Sequence, residues 1–116
     1  MPLTILQGPT IVAGMTESAV LALGMDFIVG LITPEDWTPA VVSVIVSPQG
    51  DNYYDLFDFV GREIVFNIFP NTFLSINPDI LIGAAFLKLR SGTRASPVEQ
   101  LAVRRFQMVG TLKAAA

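Results

Sequence analysis

The sequence predicts an all-β fold: a single two-sheet antiparallel β-sandwich, jelly-roll-like, of eight or nine short strands. Three observations predict it. β-Branched and aromatic runs recur at short intervals along the chain. Helical periodicity is weak throughout. Residues that turn a chain separate the runs: Gly8-Pro9, Gly24, Pro34, the stretch from Pro48 to Asn52, Gly61, Pro70-Asn71 and Asn77-Pro78. Gly reaches positive φ, Pro fixes φ near about −65°, and Asn or Asp bonds its own backbone.

The strands expected on this basis cover 3–7, 18–23, 27–32, 41–47, 53–57, 64–68, 72–76, 84–90 and 104–112. In the segment 86–90, apolar and basic side chains alternate. One face can therefore enter a core while Lys88 and Arg90 point the other way, as in a sheet covered on one side only. Pro34-Glu35-Asp36-Trp37 is read as a short turn or a single helical turn. It folds Trp37 over one end of the sandwich as a core plug, since a Trp supplies a large packing area. A second short helical turn is expected at 78–82. A chain of 116 residues is one domain by length and can bury roughly two thirds of its unfolded surface around one core. Residues 1–116 are accordingly one sandwich, with the three alanines 114–116 lacking any side chain to anchor them and expected to fray.

Composition narrows the function classes. The chain has no Cys and no His, which removes disulfides, thiolate nucleophiles, zinc thiolate sites and imidazole general bases together. No catalytic residue, metal ligand set or cofactor site is expected. Apolar residues make up 52% of the chain, more than a well-covered monomer needs, so part of that surface is expected to face other chains. A membrane span is not expected, because the longest apolar stretches are broken by Asp26 or fall far below the roughly 20 residues that cross a bilayer. The first residues carry no Lys or Arg before their apolar run, so no secretory signal is expected and the chain should stay where it is made. Up to Gly61 there are seven acids and no base; from Arg62 onward there are seven bases and three acids, a split of −7 and +4. Opposite halves suit each other within one fold or across a contact between copies. An acidic chain with dispersed bases does not suit nucleic acid.

Several chemistry-bearing patterns are better explained by plain structure. Asp51, Asp55 and Asp58 do not have EF-hand spacing, and apolar residues lie between them, so a solvated strand edge accounts for them. No pair of acids points to a glycosidase cleft. Ser91-Gly92-Thr93 lacks the glycine-rich turn and the Lys-Ser/Thr of a phosphate loop. It opens instead a long polar loop, 91–100, suited to docking on another protein. The residues expected to make contacts are Arg90, Ser91, Thr93 and Arg94 at this loop, with Phe59, Phe69 and Phe73 from the Phe-rich region before it.

The order of Phe27 to Pro34, Asp36-Trp37-Thr38-Pro39-Ala40, the segment from Pro48 to Asp58, Gly61-Arg62-Glu63-Ile64-Val65, and Leu87-Lys88-Leu89-Arg90-Ser91-Gly92-Thr93 with Pro97-Val98-Glu99-Gln100 resembles a group of small virion proteins of tailed bacteriophages. The resemblance covers roughly residues 27 to 112; Trp37 to Ala40 and Lys88 to Thr93 are its more specific pieces. It implies a structural protein of the phage particle, most directly a capsid decoration or cement protein on the head surface, made in the host cytoplasm. Its partners would be the major capsid protein and copies of itself, as a homotrimer or, second, a dimer. A head-to-tail or tail-fibre attachment piece is the structural alternative. A carbohydrate-binding sandwich stacking sugars on Trp37, Tyr53 or Tyr54 is the alternative from another class.

Overall fold

The structure, a computed structural model, describes residues 3–24 and 26–112; the end expected to fray at 114–116 lies outside the described residues. Among the described residues nine strands form: β1 (Leu3–Ile11), β2 (Leu21–Ala22), β3 (Asp26–Ile32), β4 (Val41–Ser47), β5 (Tyr54–Asp55), β6 (Val65–Asn67), β7 (Phe73–Ser75), β8 (Phe86–Ser91) and β9 (Arg104–Leu112). A 3-10 turn occupies Pro78–Leu81, with the Asn77 side chain accepting from the Asp79 backbone N–H. The sheets are antiparallel, one in the order β1-β9-β3-β7 and the other β2-β8-β4-β5, with β6 also on β4. The pairings nest: β1 with β9, β2 with β8, β3 with β7, and β4 with β5 and β6. Successive pairs alternate between sheets, so the chain is one long hairpin rolled up on itself, the topology of a jelly roll.

Period-2 alternation builds the core. On β9, Phe106 and Met108 face inward; on β4, Val42 and Val44; on β8, Leu87 and Leu89; on β3, a register shift between Ile28 and Gly30 brings Ile28 and Leu31, three apart, to the same face. All are essentially buried, and the same cluster takes in Ile11, Leu23, Trp37, Ile76 and Leu81. Trp37 plugs one end as expected. Its ring meets Phe106 edge-on at 5.4 Å between centroids, and its Nε1 donates to Ala40 O at 3.0 Å, so the indole is buried without an orphaned donor. The segment leading into it is a bend rather than a helical turn.

Three expectations about the strands change, the simplest being that 53–57 shortens to β5. Gly8-Pro9 does not end β1. The ladder to β9 resumes beyond it, with Gln7 opposite Gln107 and Thr10 opposite Arg105, so the dipeptide is a bulge in a continuing strand, with Gly8 at φ +104°. The strand expected at 18–23 shrinks to β2, because Glu17 and Ser18 meet β8 through an isolated bridge to Arg90 and a bond from Ser18 N to Leu89 O.

Gly92 closes β8 where the backbone must bend sharply. Its φ is +93°, and a Cβ there would lie 2.3 Å from Ser96 O and 2.8 Å from Val98 N, both fixed backbone atoms. Its own N–H donates to Val41 O at 2.7 Å, which ties the loop back to β4. Replacing Gly92 with Ala is expected to cost about 2 kcal/mol or more, from positive φ and the backbone clash together. Thermal or urea unfolding measures it.

Candidate functional site

The outward side of β8 is not left bare. Arg90 is 6% exposed, contrary to the expectation of an uncovered basic face. Ser43 on β4 is its register partner, and Asp55 on β5 pairs with the next outward residue of β4, Ile45. The Arg90 guanidinium donates from Nε to Ser43 Oγ at 3.0 Å and from Nη1 to Asp55 Oδ1 at 2.8 Å, with Nη2 also on Asp55. Glu63 Oε2 lies 3.8 Å from Nη2. Ser43 Oγ in turn donates to Gly92 O at 2.8 Å. Arg94 closes the group from outside, its Nε 3.2 Å from Asp55 Oδ2 and its backbone N–H donating to Glu63 Oε2 at 2.8 Å. Two acids and two guanidiniums thus clamp the loop 91–100 onto β4, β5 and the segment before β6.

The far end of that loop is held by Gln100, which is fully buried. Its Oε1 accepts from Thr38 N and Arg104 Nε, each at 3.0 Å; its Nε2 donates to Thr38 O at 3.0 Å and to Ser91 Oγ at 2.7 Å. Both amide atoms are therefore occupied, which is the condition for burying them. Lys88 pairs with Glu17 at 3.6 Å and stands over the Tyr53 ring at 4.9 Å. The pairs Glu17–Lys88, Asp55–Arg90, Asp55–Arg94 and Asp58–Arg62 all join an acid of the first half to a base of the second.

Of the seven residues expected to make contacts, the structure buries two. Arg90 and Ser91 are buried and their polar atoms bond internally. Thr93 is half-buried and Arg94 exposed on the loop. Phe59, Phe69 and Phe73 are exposed by 101%, 66% and 55%. They lie along one lateral edge of the sandwich, where β7 ends one sheet and β5 and β6 end the other. Phe59 sits at the tip of a stiff turn. Asp58 Oδ1 accepts from Val60 N at 3.0 Å and Arg62 N at 2.9 Å, Arg62 Nε donates to Asp58 Oδ2 at 3.1 Å, and Gly61 takes φ +87°. Beside it a cleft of about 440 Å³ is lined by Phe57, Phe59, Ile64 and Ile80, with Asp58, Asn77 and Asp79 at its polar side.

Asp51, Asp55 and Asp58 do not converge: each has its own partner, Asn52 N, the two arginines, and Arg62 respectively. Among the described residues no three acidic side chains gather around a common point, and no helix is long and apolar enough to cross a membrane. Trp37 is inside and Tyr53 half-buried under Lys88, which leaves Tyr54, 57% exposed, as the open member of the three aromatics considered for sugar stacking. Fold and surface together define an all-β jelly-roll sandwich with an ion-paired loop clamp and an exposed aromatic edge. Comparison with protein-family profiles, curated proteins and solved structures returned no match.

Truncating Asp55 to Ala leaves the Arg90 guanidinium buried with only Ser43 and a distant Glu63; about 3 kcal/mol of stability should be lost in chemical denaturation. The Arg62 backbone N–H chiefly, with the Val60 N–H and the Arg62 charge behind it, holds the Asp58 carboxyl below its ordinary value of 3.8. A depressed acid stabilises the folded state above its ordinary value, and that contribution is lost as pH falls through the folded value. Amide exchange at Val60 and Arg62 should therefore quicken, relative to the rest of the hairpin, once pH drops below 3.8.

Proposed function

We propose that this chain is a structural protein of a phage particle, a capsid decoration or cement protein that bridges major capsid subunits, self-associates and catalyses no reaction. The observation that carries the reading is the exposed aromatic edge: Phe59 stands wholly in solvent on a turn braced by Asp58, Phe57 lines the same cleft, and Phe69 is exposed as well. A rigid aromatic anchor loses little freedom on docking, which favours its burial against a partner. Two further features support the same reading. The loop 91–100 is pinned at both ends, so it can meet a neighbour as a fixed shape. The jelly roll is also a fold of viral capsid and lectin domains, a fold-level analogy and no more.

Repeated copies would turn modest individual contacts into a large collective stabilisation of a shell. The head-to-tail or tail-fibre reading shares the same surface, and copy number separates it, since a decoration protein occurs in hundreds per particle and a tail part in a handful. Shells lacking this protein are expected to assemble yet break at lower temperature, with stability restored by adding the purified chain. Adding Phe59→Ser protein should restore it poorly. Shells equally stable with and without the chain would rule out cementing.

A further inference from the structure

The two outer faces of the sandwich differ in kind. The outside of the β2-β8-β4-β5 sheet carries the ion pairs described above. The outside of the β1-β9-β3-β7 sheet carries an exposed apolar patch. Because Phe106 and Met108 enter the core, the alternation of β9 puts Gln107, Val109 and Thr111 outward. Their register partners are Gln7, Ile5 and Leu3 on β1, and Ile32, Gly30 and Phe27 on β3. Phe73 lies opposite Ile32, and its ring crosses Gly30 so closely that a Cβ there would be 2.3 Å away. Leu3, Ile5 and Phe73 stand 65%, 54% and 55% exposed as ridges, while Val109 and Thr111 lie in the trough at 4% and 7%. The Thr111 hydroxyl is buried there with no hydrogen-bond partner among the described residues. Arg105, opposite Thr10 at one end, is the charged member of these register rows.

A sheet that faces water on one side alternates apolar and polar residues; this one sets Leu3, Ile5 and Phe73 outward, each more than half exposed, beside a polar end of Gln7, Gln107, Thr10 and Arg105. We infer that its outer face packs against the same face of a second copy, about a twofold axis that crosses the strands. Such a contact is isologous, so it gives the dimer rather than the trimer as the basic unit. Strands about 4.8 Å apart and about 3.3 Å per residue make the face, from the Leu3 row to the Thr10 row, about 19 by 23 Å. Two such faces contribute roughly 900 Å² in plan, and ridges and troughs raise the total toward the roughly 1,200 Å² at which specific interfaces begin.

Charge permits the match and selects its direction. The central rows hold no charge to oppose itself. An axis across the strands sets the two Arg105 guanidiniums at opposite ends, roughly 20 Å apart and well beyond the screening length of about 8 Å. The same crossing lays the Thr10 and Arg105 row of one copy over the Thr111 row of the other.

The pairing extends the self-association proposed above but rests on this sheet alone, and its test needs no shell. Sedimentation of the purified chain from about 1 to 100 µM should show a dimer. Ile5→Glu and Phe73→Glu, on opposite edges of the face and both exposed in the single chain, should each weaken it roughly a hundredfold by burying an unpaired charge. Circular dichroism melting identifies a variant that fails to fold, and the other then decides. Phe59→Ser, on the lateral edge, should remain dimeric while losing shell binding. A wild-type monomer at about 100 µM, a trimer, or glutamate variants that associate like the wild type would overturn the inference. None of those results would touch shell binding, which is measured separately.

Discussion

A guanidinium leaves water only where oxygens replace the water, and Arg90 sets that requirement on four separate parts of the chain. Its neighbours come from β4 (Ser43), β5 (Asp55), the segment before β6 (Glu63) and, through Asp55, the loop residue Arg94. The short strands of this sheet are individually weak; β5 has two residues and β6 three. Hydrophobic burial alone would hold such fragments loosely, because β5 and β6 present few inward side chains. The buried charge gives each a fixed place, since displacing any one strips a partner from an ion largely withdrawn from water. The 91–100 loop inherits its shape from the same demand.

The opposite end obeys the same rule with neutral groups. Gln100 could not lie at zero exposure unless both amide atoms were bonded, and Thr38 supplies a donor and an acceptor from one peptide segment. That segment follows Trp37 directly, so the lid over the core and the end of the loop are fastened together. Packing of the indole on Phe106 and bonding of Thr38 to Gln100 are two sides of one closure.

Where strands lie was readable from the sequence because β-branched runs and turn residues act locally; 41–47 matches β4 residue for residue and 104–112 matches β9. What failed was decided by partners distant in sequence. Gly8-Pro9 carries a strong turn signal, yet β9 lies alongside and the ladder continues past it as a bulge. Residues 18–23 have strand composition, but only Leu21 and Ala22 find a ladder on β8. Arg90 looked outward and exposed, and it is outward; burial came from Asp55 and Glu63, whose approach depends on a register that one sequence does not display. Gln100 sits in a polar loop, and nothing local distinguishes a solvated amide from one that holds two segments together. The exposed phenylalanines were legible for the opposite reason: they lie in a stretch too rich in Phe for its short strands to cover.

The rolled hairpin also dictates the order in which the outer faces can exist. β9 lies between β1 and β3, and it brings Phe106 and Met108 to the core and Val109 and Thr111 to the outside. Before it is inserted, β1 has no strand partner, and β3 keeps only its three-residue pairing with β7. The other sheet meets no such delay, since β4 to β8 can pair without it. Contacts such as Gln107 to Gln7, 100 residues apart, carry a high loop-closure cost and belong late in folding. The ion-paired face is thus built from strands that can assemble first, and the apolar face comes into being only with the last strand. Until then the side chains that make it up cannot present a common surface, which limits the time in which an incompletely folded chain could associate through it.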